Sequence, residues 1–263
     1  MSDSYYRRLG RDGGYQVFES TDITRSNWTP DIQHGSPPLA LLTNAIEELL
    51  AGSPLRIGRL TLDILGAIPV RPVRVRAWVE RPGRRISLLA AEMTPAGDDA
   101  ARAVARVTAW ALATSDTGDV ASDRYPRLIE GPAQPLPEAW WRLTGYLGSV
   151  QWRRQVDDPS GAAVYWLRPR GHLVDTEDNT PLENLALAVD SANGVGAALD
   201  FRRFVFMNTD TSLHVHRLPI GADFAIRARG SVGPDGIGVT SAEVFDRDGF
   251  VAVCAQTLLV QRR

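Results

Sequence analysis

One feature constrains this chain more than any other: a single succession of elements, an apolar helix followed by a meander of strands, occurs in it twice. The first helix is predicted over 37–50, where Pro37 and Pro38 occupy the first turn and forfeit no hydrogen bond, and where Gly52 and Pro54 end the run. Strand-like runs follow at 59–68, 73–80, 85–93 and 101–111, divided by the turn signals Pro82-Gly83 and Pro95-Ala96-Gly97. The second helix is predicted from Pro181 to Asp190 and beyond, with strands at 212–216, 223–230, 238–245 and 251–260. The turn glycines keep step, because Leu60 and Gly83 are separated by the same interval as Leu213 and Gly236. Such spacing indicates an internal duplication, the competing explanation being the regular turn spacing of any antiparallel sheet.

Between the copies, Pro126, Pro132, Pro135 and Pro137 together with Gly131 have the composition of a connector. Two further strands are expected beyond it, at 147–156 and 162–168. The chain divides accordingly into an N-terminal repeat 1–118, a connector 119–146 and a C-terminal repeat 147–263. A lone apolar helix on a curved antiparallel sheet is covered on one side only, so two such units gain by joining their sheets and leaving a slot between helices and strands. The expected fold class is α+β, with two helix-plus-antiparallel-sheet repeats fused into one continuous curved sheet and a slot suited to long apolar ligands.

A formal net charge of -2 without acidic or basic blocks excludes long-range attraction to nucleic acid or an anionic membrane. The single cysteine, Cys254, allows no internal disulfide and anchors no metal-ligand spacing, so neither metal nor cofactor is expected. No stretch approaches the ~18 apolar residues that span a bilayer, and the first residues lack a signal-peptide pattern. The expectation is a cytoplasmic protein that forms a homo-oligomer to cover its sheet edges.

Three residues place a polar side chain where the local pattern calls for an apolar one. Asp190 follows the apolar helical run 185–189, Asn208 shares a strand face with Phe204 and Phe206, and Gln256 alternates with Cys254 and Leu258. Each has an ordinary explanation when taken singly: a helix-terminal carboxylate, a turn asparagine, a satisfied core amide. Together they suffice for water attack on a carbonyl, with Asp190 accepting the proton, the amides fixing water and substrate, and helix-terminal N–H groups stabilising the oxyanion.

With these residues in view, the C-terminal half resembles the acyl-CoA thioesterase II family of double-hotdog proteins. Leu187-Ala188-Val189-Asp190 is similar to that family's helix bearing the catalytic aspartate. The tract 208–217 resembles its strand of threonine, aspartate and a terminal His-Arg pair, and 246–256 its last hairpin, ending at the catalytic glutamine. In the N-terminal half, His34-Gly35-Ser36-Pro37 is similar to the glycine turn of hotdog domains. The resemblance implies hydrolysis of a fatty acyl-CoA to acid and coenzyme A, with Asp190, Asn208 and Gln256 catalytic and His34, Gly35 and Thr209 at the substrate. Where the family carries a water-holding threonine or serine, ungapped matching places Asn208, with Thr209 beside it, so either an amide replaces the hydroxyl or the register slips by one. Arg217 or Arg168 is expected to meet the nucleotide phosphates at the slot mouth.

Other chemistries lack their motifs. There is no Gly-x-Ser-x-Gly elbow, no His-Glu-x-x-His and no Cys-x-x-Cys, and Asn193-Gly194-Val195-Gly196 follows a helix where a dinucleotide loop follows a strand. Two alternatives remain: a catalytically silent acyl or lipid binder, and an enoyl-CoA hydratase. The hydratase pattern calls for a histidine five residues after the aspartate, where this chain has Val195.

Overall fold

The structure is a computed structural model that describes residues 4–98, 100–137 and 144–263. It begins with two strands that periodicity did not reveal, β1 (Ser4–Asp12) and β2 (Tyr15–Ser20). In β1 only the first three residues are buried, so no alternation marks it as a strand. Then come α1 (Ser36–Leu49), β3 (Leu55–Ile64), β4 (Pro72–Arg81), β5 (Ile86–Pro95) and β6 (Ala105–Ala113). After the connector lie α2 (Gly145–Gly148), β7 (Val150–Arg154), β8 (Ala163–Pro169) and β9 (His172–Val174). The chain continues through α3 (Pro181–Val189), α4 (Ala192–Val195), β10 (Phe204–Asn208), β11 (Asp210–Val215), β12 (Phe224–Val232), β13 (Ile237–Asp246) and β14 (Gly249–Arg262). Of the expected connector 119–146, residues 138–143 lie outside the described residues, and its end forms α2.

The strands pair in the order β7-β8-β12-β13-β14-β11-β3-β6-β5-β4-β2-β1-β9, with β10 also pairing with β14. Strands β3 and β11 meet antiparallel in the middle of this order, and Leu60 lies directly opposite Leu213. The two residues equated by the turn spacing are thus cross-strand neighbours. Helix α1 lies against β4, β5 and β6, α3 lies against β8 and β12, and the two helices touch each other. Every residue of α1 from Ser36 to Ile46 is buried, as befits a helix that is apolar nearly all round. Leu39, Leu41, Leu42 and Ile46 are fully enclosed, and each contributes about 1.5–3 kcal/mol through the area it removes from water.

Thr180 starts α3 and ties it to α1. Its hydroxyl accepts from the Glu183 amide in a capping box and donates to Glu47 Oε2 at 2.7 Å. Asn44 donates to Glu183 Oε1 at 2.9 Å across the same helix pair. Burial holds the Glu47 carboxyl above its ordinary range, up to about 7, against the Thr180 hydrogen bond and with neighbouring Glu183 adding to the rise. The folded chain therefore binds this proton more tightly than the unfolded chain, and the associated stability is lost as pH rises from 4.5 through about 7. Glu47→Gln keeps an acceptor for Thr180 and removes the buried charge. It is expected to raise Tm by roughly 2–4 °C at pH 8 and to leave it unchanged at pH 4. Equal shifts in melting scans at the two pH values would contradict this origin.

Among the described residues, no helix is long and apolar enough to cross a membrane, and no cluster of His, Cys, Asp or Glu has the arrangement of a metal site.

Candidate active site

The helix expected to run through Asp190 stops there. Asp190 is the C-cap of α3, and the Ser191 amide turns back to the Ala188 carbonyl at 3.2 Å, tightening the last turn before α4. This end position aims the carboxylate out of the helix while leaving the residue only 2 % exposed. Three side chains converge on its Oδ1: Asn208 Nδ2 donates at 2.8 Å, Thr211 Oγ1 at 2.6 Å and Gln256 Nε2 at 3.4 Å. Gln256 Nε2 also donates to Thr211 Oγ1 at 2.9 Å and to the Asp190 carbonyl at 3.1 Å. By contrast, Asp190 Oδ2 receives no hydrogen bond from the described residues.

The sequence reading missed Thr211, and the geometry shows why. Strands β10 and β11 both pair with β14 and are separated at Thr209, whose amide bonds to the Thr257 carbonyl. In an unbroken strand, residues 208 and 211 would face opposite sides of the sheet. The break at Thr209 resets the alternation, so Asn208 and Thr211 reach the same carboxylate oxygen. Thr209 itself points away, donating to Asp210 Oδ1 and the Thr257 carbonyl, so neither the ungapped match nor a slip by one finds the hydroxyl at Asp190. A usable signal was present: Thr211 shares its strand parity with buried Leu213 and Val215, the argument that singled out Gln256.

The remaining wall comes from the other half of the chain. Gly35, the N-cap of α1, lies so close to Asp190 that a Cβ there would stand 2.5 Å from Oδ2. His34 stacks on Tyr146 with ring centroids 4.0 Å apart and planes 17° from parallel. Its Nδ1 lies 3.5 Å from Asp190 Oδ2 and accepts the Ser36 amide proton at 3.1 Å. Burial lowers the His34 pKa, and the Asp190 charge opposes that shift. Tyr146, whose phenol burial pushes upward, donates from its hydroxyl to the Leu187 carbonyl at 2.5 Å and bonds to Ser191 Oγ at 2.9 Å. Its approach requires Gly145, which has φ +57° and comes so close to the Arg25 carbonyl that a Cβ would meet it at 2.4 Å.

Asp190, Asn208, His34 and Gly35 open onto a cavity of about 900 Å³, whereas Thr211 and Gln256 lie behind its wall. Its apolar wall includes Ile64, Ile68, Leu147, Trp152, Phe201 and Phe206, and among the described residues Asp190 is the only acid that lines it. His34, Gly35, Asn208 and Thr209 all line it. Arg217 and Arg168 do not. Arg217 is held in a two-point ion pair with fully buried Asp246, at 2.6 and 2.7 Å, while the arginines that reach the cavity are Arg25 and Arg263.

Residues 128–260 match the acyl-CoA thioesterase C-terminal domain family, and residues 24–112 match the acyl-CoA thioesterase N-terminal domain family. The chain belongs to the acyl-CoA thioesterase family. A candidate thioesterase II from Thermobifida fusca YX shares its fold with a TM-score of 0.71 at 18% identity, covering 99% of this chain and 96% of that one. The acyl-CoA thioesterase II TesB2 from Mycobacterium marinum gives 0.66 at 13% identity, covering 98% and 95%. A hotdog-fold protein of unknown function from Alicyclobacillus acidocaldarius gives 0.64 at 16% identity, covering 95% and 94%. No curated protein matches the chain in sequence. The hotdog fold is thus shared with structures whose sequences have diverged far from that of this thioesterase-family chain.

Proposed function

We propose that the chain hydrolyses fatty acyl-CoA thioesters to free acid and coenzyme A, and that it does so as a cytoplasmic double hotdog whose repeats, 1–118 and 147–263, share one continuous sheet. The carrying observation is the asymmetry of the Asp190 carboxylate. Its Oδ1 is held by Asn208, Thr211 and Gln256, while Oδ2 takes no hydrogen bond from the described residues at the wall of a largely apolar cavity. In this reading Oδ1 fixes the carboxylate and Oδ2 takes the proton. A water oxygen attacks the thioester carbonyl carbon as its proton passes to Oδ2, while Asn208, Thr211 and Gln256 hold the carboxylate in place through Oδ1. The tetrahedral intermediate then collapses, the carbon–sulfur bond breaks, and the Asp190 carboxyl returns the proton to the departing thiolate. The Gly35 amide, at the start of α1 and bonded to no described residue, supplies a donor for the developing oxyanion. Ile64, Ile68, Trp152 and Phe206 enclose the acyl chain. A homo-oligomer covers the terminal strands β7 and β9.

The silent-binder alternative drew its force from a missing hydroxyl, and Thr211 supplies one. Release of free thiol from a panel of acyl-CoAs of graded chain length tests the reading directly, and no release at any length would end it. Thr211→Val is expected to lower kcat by roughly 10–100-fold, whereas Thr209→Val stays within about twofold. The reverse ranking would move the role of that hydroxyl to Thr209.

A further inference from the structure

We propose that His34 is a further catalytic residue, fixed as the tautomer that carries its proton on Nε2 and donating that N–H to the carbonyl oxygen of a thioester bound beside Asp190. The inference rests on the hydrolase reading above, but its grounds are separate. The Ser36 amide donates to Nδ1 at 3.1 Å, so Nδ1 is an acceptor, and in a neutral imidazole the proton then sits on Nε2. The alternative, a doubly protonated ring ion-paired to Asp190, would leave the Ser36 amide without its partner and place a second charge in a buried site. Burial already disfavours that charge.

The ring has little freedom to choose otherwise. It is stacked on Tyr146, which is fully enclosed and anchored to α3 through the Leu187 carbonyl, and the His34 amide is bonded to the Thr24 carbonyl at 2.8 Å. Nε2 makes no hydrogen bond with the described residues. The His34 side chain lines the cavity and keeps 12% of its surface exposed there, and with Nδ1 turned to the Ser36 amide the exposed nitrogen in this reading is Nε2. A histidine serving packing alone would not need an open donor here. A neutral imidazole N–H is a suitable electrophile for a carbonyl because it stabilises growing negative charge without first placing a cation beside the Asp190 base. Nε2–H keeps its proton throughout, and the proton transfers remain those of water, Asp190 and the thiolate.

Nitrogen-15 histidine NMR tests the assignment independently of turnover. Two acyl-CoA analogues serve as probes: a ketone with methylene in place of sulfur, which keeps the carbonyl, and a thioether, which lacks it. The expected result is a His34 proton on Nε2 at neutral pH and an Nε2–H resonance that moves with the ketone and not with the thioether. A proton on Nδ1, a doubly protonated ring, the same response to both probes or no response to either would overturn the proposal. In turnover assays, His34→Phe keeps an aromatic ring against Tyr146 and is expected to lower kcat by about 10²–10³-fold with little change in KM. His34→Gln, which restores a side-chain N–H, is expected to recover at least about tenfold of that loss. Near-normal kcat in a folded His34→Phe would overturn the proposal and leave the hydrolase reading intact. Failure of the wild type on every acyl-CoA would end the hydrolase reading, with the NMR result still deciding the role of His34.

Discussion

Asp190→Asn is expected to lower kcat for acyl-CoA hydrolysis by ~10²–10⁴-fold while KM changes only a few-fold. The substitution is close to isosteric, and an asparagine Oδ1 can still accept from Thr211, Asn208 and Gln256, so the shape of the site is retained. What disappears is the Oδ2 acceptor. An amide nitrogen stands in its place and cannot take a proton from water. Thiol release measured alongside a melting curve separates this loss from misfolding. A folded Asp190→Asn protein with undiminished turnover would remove Asp190 from the chemistry altogether.

Gly35→Ala is expected to cost about 10²-fold in kcat, nearly as much, without removing any reacting group. The backbone at Gly35 has φ -69° and ψ -22°, a conformation any residue adopts, so alanine introduces no backbone strain. The whole effect comes from one methyl group placed 2.5 Å from Asp190 Oδ2, well inside contact distance. Asp190 is held on its other side by three donors, so the carboxylate has to rotate or shift, and displacements of ~1 Å in a catalytic group commonly cost 10²-fold. The comparison that matters is kcat against Tm: a large loss of kcat with Tm nearly unchanged supports the contact. Unaltered kcat would mean that the Gly35 turn yields easily and does not set the position of the base.

Much of this architecture could be read from alternation and punctuation. Helix α1 and strands β3 to β6 fall within a few residues of their expected places because Pro37, Gly52, Gly83 and Gly97 bracket strongly apolar runs. Asp190 and Gln256 stood out as polar interruptions, and the structure places them in contact. Three things were not legible. Strands β1 and β9 pair with each other through backbone groups that any sequence possesses, and their burial follows no period. That Asn208 and Thr211 meet on one carboxylate oxygen depended on a break at Thr209 that the pairing with β14 creates, since no local propensity announces it. Arg217 invited assignment as a phosphate contact, yet its charge is taken up by Asp246, a partner that only the folded hairpin brings within reach.

Tyr146 gives the joining segment a meaning that its proline-rich composition conceals. A tether between two domains can be lengthened, shortened or cut without consequence for either, but this one ends in a phenol that braces His34 and closes on the last turn of the helix carrying the base. Separating the halves and supplying them as two polypeptides would therefore ask one of them to bring the brace along, and circular permutants opened close to Gly145 would assemble with the imidazole unsupported. The segment between the halves is thereby a working part of the site.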